Sequence, residues 1–207
     1  MNRRFFPWLF FTLCLCAPAL AQTPSPRSPL DASTPAWLPR GVYLGTTLRD
    51  GAVVPQARLQ WQAMFYQARH DALGVFIEPM VAQSVVTPSS LVADPFGTVP
   101  SGSLSSLRVY ALVLSIGYTN RRESGFEWGF QVGSGPAWYQ ARFQGASKDQ
   151  ESYLVGLLDG RLRAGYRVGP IGLGLAVGYG DPYNYKRASL SHTFVGGLQL
   201  GLYADWR

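Results

Sequence analysis

The chain offers few residues that could do chemistry. It has two histidines, His70 and His192, and two cysteines, Cys14 and Cys16, among 207 residues. A zinc site needs at least three protein ligands, and neither histidine sits in an HExxH, GxSxG, P-loop or GxGxxG arrangement. His192 reads as a polar residue at the start of the last strand. No Lys/Arg-rich run of five or more occurs, so nucleic acid binding has no support. The charged residues that stand out are Glu127, Asp159, Arg161 and Arg163, each set among glycines, aromatics and aliphatics. Buried charges must be paired. The expected chemistry is therefore a structural ion network, with a gate or ion-binding site as the sharper reading of the same residues. Neither a catalytic residue nor a cofactor is expected.

Targeting signals occupy the first residues. Arg3 and Arg4 form a positive region, Phe5 to Cys16 an apolar one, and Ala19-Leu20-Ala21 a small-x-small cleavage site, which together read as a signal peptide over 1–21. The apolar run carries Pro7 and Pro18 and is short for a membrane span. Leu13 and Leu15 precede the cysteines, which disfavours lipidation. Both cysteines leave with the signal. Disulfides, iron–sulfur clusters and thiolate sites are then excluded from the mature protein. Residues 22–39 hold five prolines and read as a disordered linker, so the folded domain is 40–207.

The elements that must position the charged residues show as period-two alternation. Phe126, Trp128, Phe130 and Val132 alternate with Glu127, Gly129, Gln131 and Gly133. Ile171 to Gly180 and Phe194 to Trp206 repeat the pattern, and weaker versions run through 57–69, 73–86, 104–118, 137–145 and 152–168. Eight long strands result. A soluble sandwich would show a charged solvent face opposite its core face, whereas the second face here is mostly Gly, Ala and Gln with a few charges. That composition suits the crowded inside of a narrow barrel whose other face meets lipid. On this reading Glu127, Asp159, Arg161, Arg163 and Gln131 point into the lumen. With the C-terminus on the periplasmic side, Tyr110, Tyr139, Tyr166 and Trp206 fall at the lower strand ends and Tyr118, Phe126, Phe143, Tyr179 and Phe194 at the upper ends. Trp128 belongs to the same aromatic girdles.

Val168-Gly169-Pro170-Ile171 and Gly133-Ser134-Gly135-Pro136 read as tight turns, and 119–124, 146–152 and 181–191 as longer polar outer loops. Two segments resist this scheme. The long loop 87–103 falls on the short-turn side. Gly41 to Leu48 looks like a ninth strand, although barrels of this kind have even strand counts, so either this segment lies outside the barrel or there is a tenth strand.

In these patterns the chain resembles small bacterial outer-membrane β-barrel proteins of the eight-stranded OmpA/OmpX-like class, over residues 57–207. The C-terminal insertion signal of that class, a polar residue, a Gly two later and a terminal aromatic, matches Gln199, Gly201 and Trp206; Arg207 and the small Ala204 depart from it. The resemblance implies an all-β, closed, antiparallel up-and-down transmembrane barrel and a monomer. It also implies contact with outer-membrane lipid, lipopolysaccharide and the barrel assembly machinery. Some barrel lipid A deacylases place Ser two residues after a rim His; here that position is Phe194, so the match to His192 fails, and with it the support from Ser189 and Ser191. Arg121-Arg122 and Lys186-Arg187 fall in the expected outer loops, where they could meet lipopolysaccharide phosphates. The expected role is non-enzymatic: structural, surface-interacting or supporting envelope integrity. A secreted or periplasmic barrel binding a small apolar ligand is the alternative, and a lipid-modifying barrel enzyme comes third.

Overall fold

The computed structural model describes residues 38–49, 52–87, 103–144, 149–183 and 195–206. Eight strands form one closed barrel: β1 (Gly41–Arg49), β2 (Ala52–Gln67), β3 (Asp71–Gln83), β4 (Ser103–Arg121), β5 (Phe126–Gln144), β6 (Gln150–Val168), β7 (Ile171–Tyr183) and β8 (Gly197–Trp206). Each pairs antiparallel with the next, and β8 pairs with β1 from Gly41–Asp205 to Leu48–Leu198. Closure removes the sheet edges that would otherwise expose unpaired backbone groups. The signal peptide and all but the last two residues of the proline-rich segment lie outside the described residues, as do Lys186, Arg187, Ser189, Ser191, His192, Phe194 and Arg207.

Register fixes the shape of the cylinder. Thr47 faces Val54 on β2, while the path the other way runs through Gln199, Gly178, Arg161, Gln131, Gly117 and Gly74 to Phe65. It returns to β2 eleven residues along, one of them contributed by the bulge between Gln62 and Met64. A stagger of this size tilts the strands steeply to the axis and holds an eight-stranded lumen to side-chain width.

The number of strands is the expected one, but two of its members differ. Gly41–Arg49 is a barrel strand, and 125–133 and 137–145 are one continuous strand, β5. The segment Gly133-Ser134-Gly135-Pro136 reads locally as a turn, yet it spans the sheet: all four residues pair with β6, from Gly133–Asp159 to Pro136–Gly156. On the β4 side the pairing passes from Ala111–Ala137 to Leu114–Ser134, lapsing at the proline, which has no N–H to give. Because β5 does not turn back, β2, β3 and β4 run opposite to the expected directions. The connection 84–102 therefore lies at the end away from the termini, and the turn 122–125 at the terminal end. This removes the misfit of the long loop 87–103 and takes Arg121-Arg122 out of the outer loops. His70 is at the terminal end too, with its Nδ1 3.2 Å from the Arg121 carbonyl.

Small and large residues alternate inside because rings need room. Gly165 pairs with Gly174, and a β-carbon on either would lie 2.7 Å from Tyr203 Oη or 2.6 Å from Tyr203 Cε1. Gly45 pairs with Gly201 under the Tyr43 ring, and Gly74 with Gly117 under Phe76. Each of these three rings lies across a cross-strand pair of glycines. Gly174→Val should therefore displace Tyr203 and cost about 1–3 kcal/mol through overpacking. The measurement is the urea midpoint of the folded barrel in detergent micelles, which should fall relative to the unmodified chain.

Candidate functional site

The lumen holds the densest chemistry in the molecule, in three layers. At the end far from the termini it is apolar: Val54, Met80, Leu104, Leu107, Val109, Val113, Tyr139, Phe143, Val155, Leu157 and Val195 are all buried. Below these lies a four-charge layer on β2, β3 and β6. Arg58 donates to both oxygens of Asp159 (Nη1–Oδ1 2.9 Å, Nη2–Oδ2 2.8 Å). Arg161 donates to Asp159 at 2.9 Å through Nε and binds Glu78 through Nη2, while Glu78 lies 3.9 Å from Arg58. β2 and β6 stand on opposite walls, so the Arg58–Asp159 pair spans the barrel's diameter. Amides complete the layer. Gln56 and Gln199 accept from Arg58 at 3.0 Å, and Gln199 donates to Asp159 at 2.7 Å. Gln131 donates to Glu78 at 2.6 Å.

A second charged layer lies nearer the termini. Arg167 donates to Glu127 at 3.0 Å and also binds Asp205. Arg163 donates to Asp205 at 3.2 Å and to Thr119, with its guanidinium 5.2 Å from the Tyr203 ring centre. Tyr203 donates to Glu127 at 3.2 Å, and Arg121 Nε is 4.0 Å from Glu127 Oε2. A void of about 30 Å³, touching Tyr43, Arg58, Glu78, Arg161, Arg163 and Asp205, sits between the layers. It has room for about two waters. Four arginines and four carboxylates thus face each other, with Arg121 at the margin of the second layer, and the lumen is occupied rather than open.

Of the residues singled out from the sequence, Asp159 and Arg161 meet directly, and Glu127 and Arg163 join the second layer through Tyr203 and Arg167. Arg58, Glu78, Arg167 and Asp205 were missed. The signal was the same alternation: Arg58 and Glu78 occupy small-residue faces in the weaker strands, and Arg167 and Asp205 sit on the lumen-facing positions of β6 and β8. Gln199 and Gly201 belong to the lumen as well, the first bonded to Asp159 and the second beneath Tyr43.

The outer surface is the second candidate. A row of paired, outward residues runs round the whole barrel: Tyr66, Leu73, Tyr118, Phe130, Leu162, Val177, Leu200 and Thr46. Aromatics gather at two levels. Tyr118 contacts Trp128 and Phe130 (ring centres 5.8 and 5.7 Å) and Phe126 contacts Tyr166 (5.5 Å), with the half-buried Trp206 nearby at the terminal end. Tyr110 stacks on Trp138 at 5.6 Å toward the far end, where Tyr179 is also exposed. Several girdle assignments change. Tyr110 belongs to the far end, and Tyr118 and Phe126 to the terminal end, because β4 and the first half of β5 run opposite to the expectation. Tyr139 and Phe143 point inward, at 0% and 7% exposure, and join the apolar layer of the lumen.

No protein-family model matches this chain, and no curated protein does. Among solved structures it is similar to Neisserial surface protein A (NspA), at 12% identity and a TM-score of 0.45, covering 81% of this chain and 94% of that one. It is also similar to Ail, the attachment invasion locus protein of Yersinia pestis, at 11% identity and a TM-score of 0.38, covering 80% and 93%. What its own geometry defines is a closed eight-stranded antiparallel up-and-down barrel with a filled, charge-paired lumen.

Removing one member of a buried pair strands the other. Asp159→Leu should cost about 3–5 kcal/mol, measured by urea unfolding in micelles, because Arg58 and Arg161 both lose their shared acceptor. Adding Arg58→Met to that variant should recover part of the loss.

Proposed function

We propose that the protein is a non-enzymatic barrel of the bacterial outer membrane, with a structural, surface-interaction or envelope-integrity role. One observation carries this reading. Outward positions of the described strands bear no charge between Asp71 at the terminal end and Arg108, Arg142 and Asp181 at the far end, while the inward positions hold the paired charges of the two layers. Side chains such as Leu44, Leu114, Leu162, Leu175 and Leu202 are 56–67% exposed on that belt. A soluble monomer rarely leaves an apolar patch beyond a few hundred Å², and this one encircles the molecule. Its height also fits. Trp128 and Trp138, both outward on β5, stand ten residues apart, which in a tilted strand is about 25 Å, the height of the apolar band in outer-membrane barrels.

The termini then lie on the periplasmic side and the connections 84–102, 145–149 and 184–196 on the cell surface. The filled lumen supports a barrel that anchors and presents rather than conducts. On cell fractionation the full chain should be recovered in the outer-membrane fraction, with heat-modifiable gel mobility. Recovery in the periplasmic or culture fluid without detergent would instead establish a soluble barrel. Planar-bilayer recordings should show no large, stable single-channel conductance.

Assembly is read from the last strand. Gln199, Gly201 and Trp206 form the signal presented to the assembly machinery, and the Trp206 indole sits at the periplasmic interface, where one edge is apolar and the other wet. Trp206→Asp should reduce the folded, heat-modifiable form in the membrane. Normal assembly of that variant would show that the strand is not the signal.

A further inference from the structure

At the terminal end of the apolar belt the first outward charge is a carboxylate. Asp71 opens β3 there, and its outward neighbours across the sheet are Asn120 on β4 and Trp128 on β5, paired side by side. One step into the belt the outward row is Leu73, Tyr118, Phe130 and Leu162. Tyr118 Oη donates to Asp71 Oδ1 at 2.5 Å, and Asn120 Nδ2 donates to the same oxygen at 2.8 Å. Both donors converge on one oxygen, so Oδ2 is left without a hydrogen bond or an ion pair among the described residues. The outward carboxylate at the opposite end differs: Asp181 is paired with Arg49 at 3.3 Å.

Two more groups at this spot are open. With Nδ2 turned to Asp71, Asn120 Oδ1 is an acceptor without a partner among the described residues. The Trp128 indole N–H has none either, whereas Trp138, outward at the other end of β5, donates to Ser152 at 2.7 Å. The Trp128 and Tyr118 rings meet edge to face at 5.8 Å, and Phe130 lies 5.7 Å from Tyr118. An aromatic wall thus adjoins two free acceptors. That combination suits a cation that also donates hydrogen bonds, because ring faces attract positive charge and the two oxygens need N–H. It repels a headgroup whose only charge is a phosphate.

We propose that Asp71, Asn120 and Trp128 bind the primary ammonium of an amine-headgroup phospholipid in the periplasmic leaflet. The proposal rests on the outer-membrane reading above, which puts the terminal end of the barrel on the periplasmic side. The ammonium donates to Asp71 Oδ2 and Asn120 Oδ1 against the Trp128 ring, and the phosphate of the same headgroup accepts from the indole N–H. The acyl chains then run into the belt along Leu73, Phe130 and Leu162. At this edge the charges are partly removed from water, where a charge-assisted hydrogen bond is stronger than in bulk solvent.

The test uses the full chain purified from membranes in a mild non-ionic detergent and exchanged into an equal mixture of ethanolamine-, choline- and glycerol-headgroup phospholipids with identical acyl chains. Native mass spectrometry reads which headgroup stays bound. The ethanolamine lipid should be retained about ten-fold over each of the others, the difference of one charge-assisted hydrogen bond. Asp71→Asn should abolish that preference while keeping the Tyr118 contact, and Trp128→Leu should reduce it about three-fold. Both variants should keep heat-modifiable mobility, since neither residue faces the lumen. Arg108→Ala, at the opposite end of the belt, should retain lipid like the unmodified chain. Millimolar free ethanolamine should leave the bound lipid in place, which separates a lipid site from a site for any small amine. Equal retention of the three headgroups, an unchanged preference in Asp71→Asn, or displacement by free ethanolamine would each overturn the site while leaving the outer-membrane reading intact. Recovery of the unmodified chain in the soluble fraction would refute both.

Discussion

An eight-stranded cylinder leaves an interior only as wide as facing side chains, and that width governs nearly every inward residue. Whatever one wall extends into the lumen, the neighbouring wall must give up. In the polar part of the lumen, the inward rings Tyr43, Phe76 and Tyr203 are each matched by a cross-strand glycine pair. The long arginines Arg161 and Arg167 have glycines beside them: a β-carbon on Gly178 would lie 2.5 Å from Arg161 Cγ, and one on Gly172 2.6 Å from Arg167 Nη2. The lumen-facing strand glycines are therefore not flexible points. They are the complement of large side chains in a fixed cross-section, which is why they recur with period two along the strands.

The same width explains why the charges come in balanced layers. A guanidinium that enters so narrow a lumen loses water on all sides, and a carboxylate must replace that water. The partners come from distant parts of the chain because opposite walls are distant in sequence: Arg58 on β2 meets Asp159 on β6, and Arg161 on β6 meets Glu78 on β3. Each pair is a strut across the barrel that forms only when the register is right on both walls. A one-residue slip would turn a member outward onto the apolar face. The ion network thus specifies register as well as filling space.

Much of this was legible in the sequence, and what was not has a physical cause. The alternation in β5, β7 and β8 gave the inward and outward faces, and the small-residue face led to Glu127, Asp159, Arg161 and Arg163. Two readings failed. Gly133-Ser134-Gly135-Pro136 has the composition of a turn, but its glycines are inward space-makers and its proline points outward where the ladder lapses. Local composition does not distinguish the two. Gly41 to Leu48 reads as a strand, but as a ninth one, because β5 reads as two; with 125–133 and 137–145 joined, β1 takes its place among the eight and closes against β8. Missing the continuity of β5 reversed three strands at once, since in an up-and-down barrel each direction is inherited from its neighbour.

The misplacement of Tyr139 and Phe143 has a different origin, and it bears on where the outer apolar belt ends. Along β4 the inward residues Ser115 and Thr119 face outward Leu114 and Ile116, but nearer the far end the inward residues are Leu104, Leu107 and Val109 and the outward ones include Ser105 and Arg108. β5 does the same, from Glu127 and Gln131 inside with Phe130 and Val132 outside, to Tyr139, Ala141 and Phe143 inside with Gln140, Arg142 and Gln144 outside. The alternation keeps its phase while its polarity inverts. A rule that gives the bulky apolar face to lipid along the whole strand must therefore fail beyond the inversion. Inversion is what a strand should show on leaving a bilayer for water, because the outside then becomes the wet side and the inside the only place left to bury apolar surface. It falls at the Tyr110–Trp138 level, where the outward residues pass from Tyr110 to Arg108 on β4 and from Trp138 to Gln140 on β5. β4, β5 and β6, at nineteen residues each against nine and ten for β1 and β8, carry the sheet past that level. The boundary that the aromatic pair marks on the outer wall is thus drawn independently by the strands' inner faces.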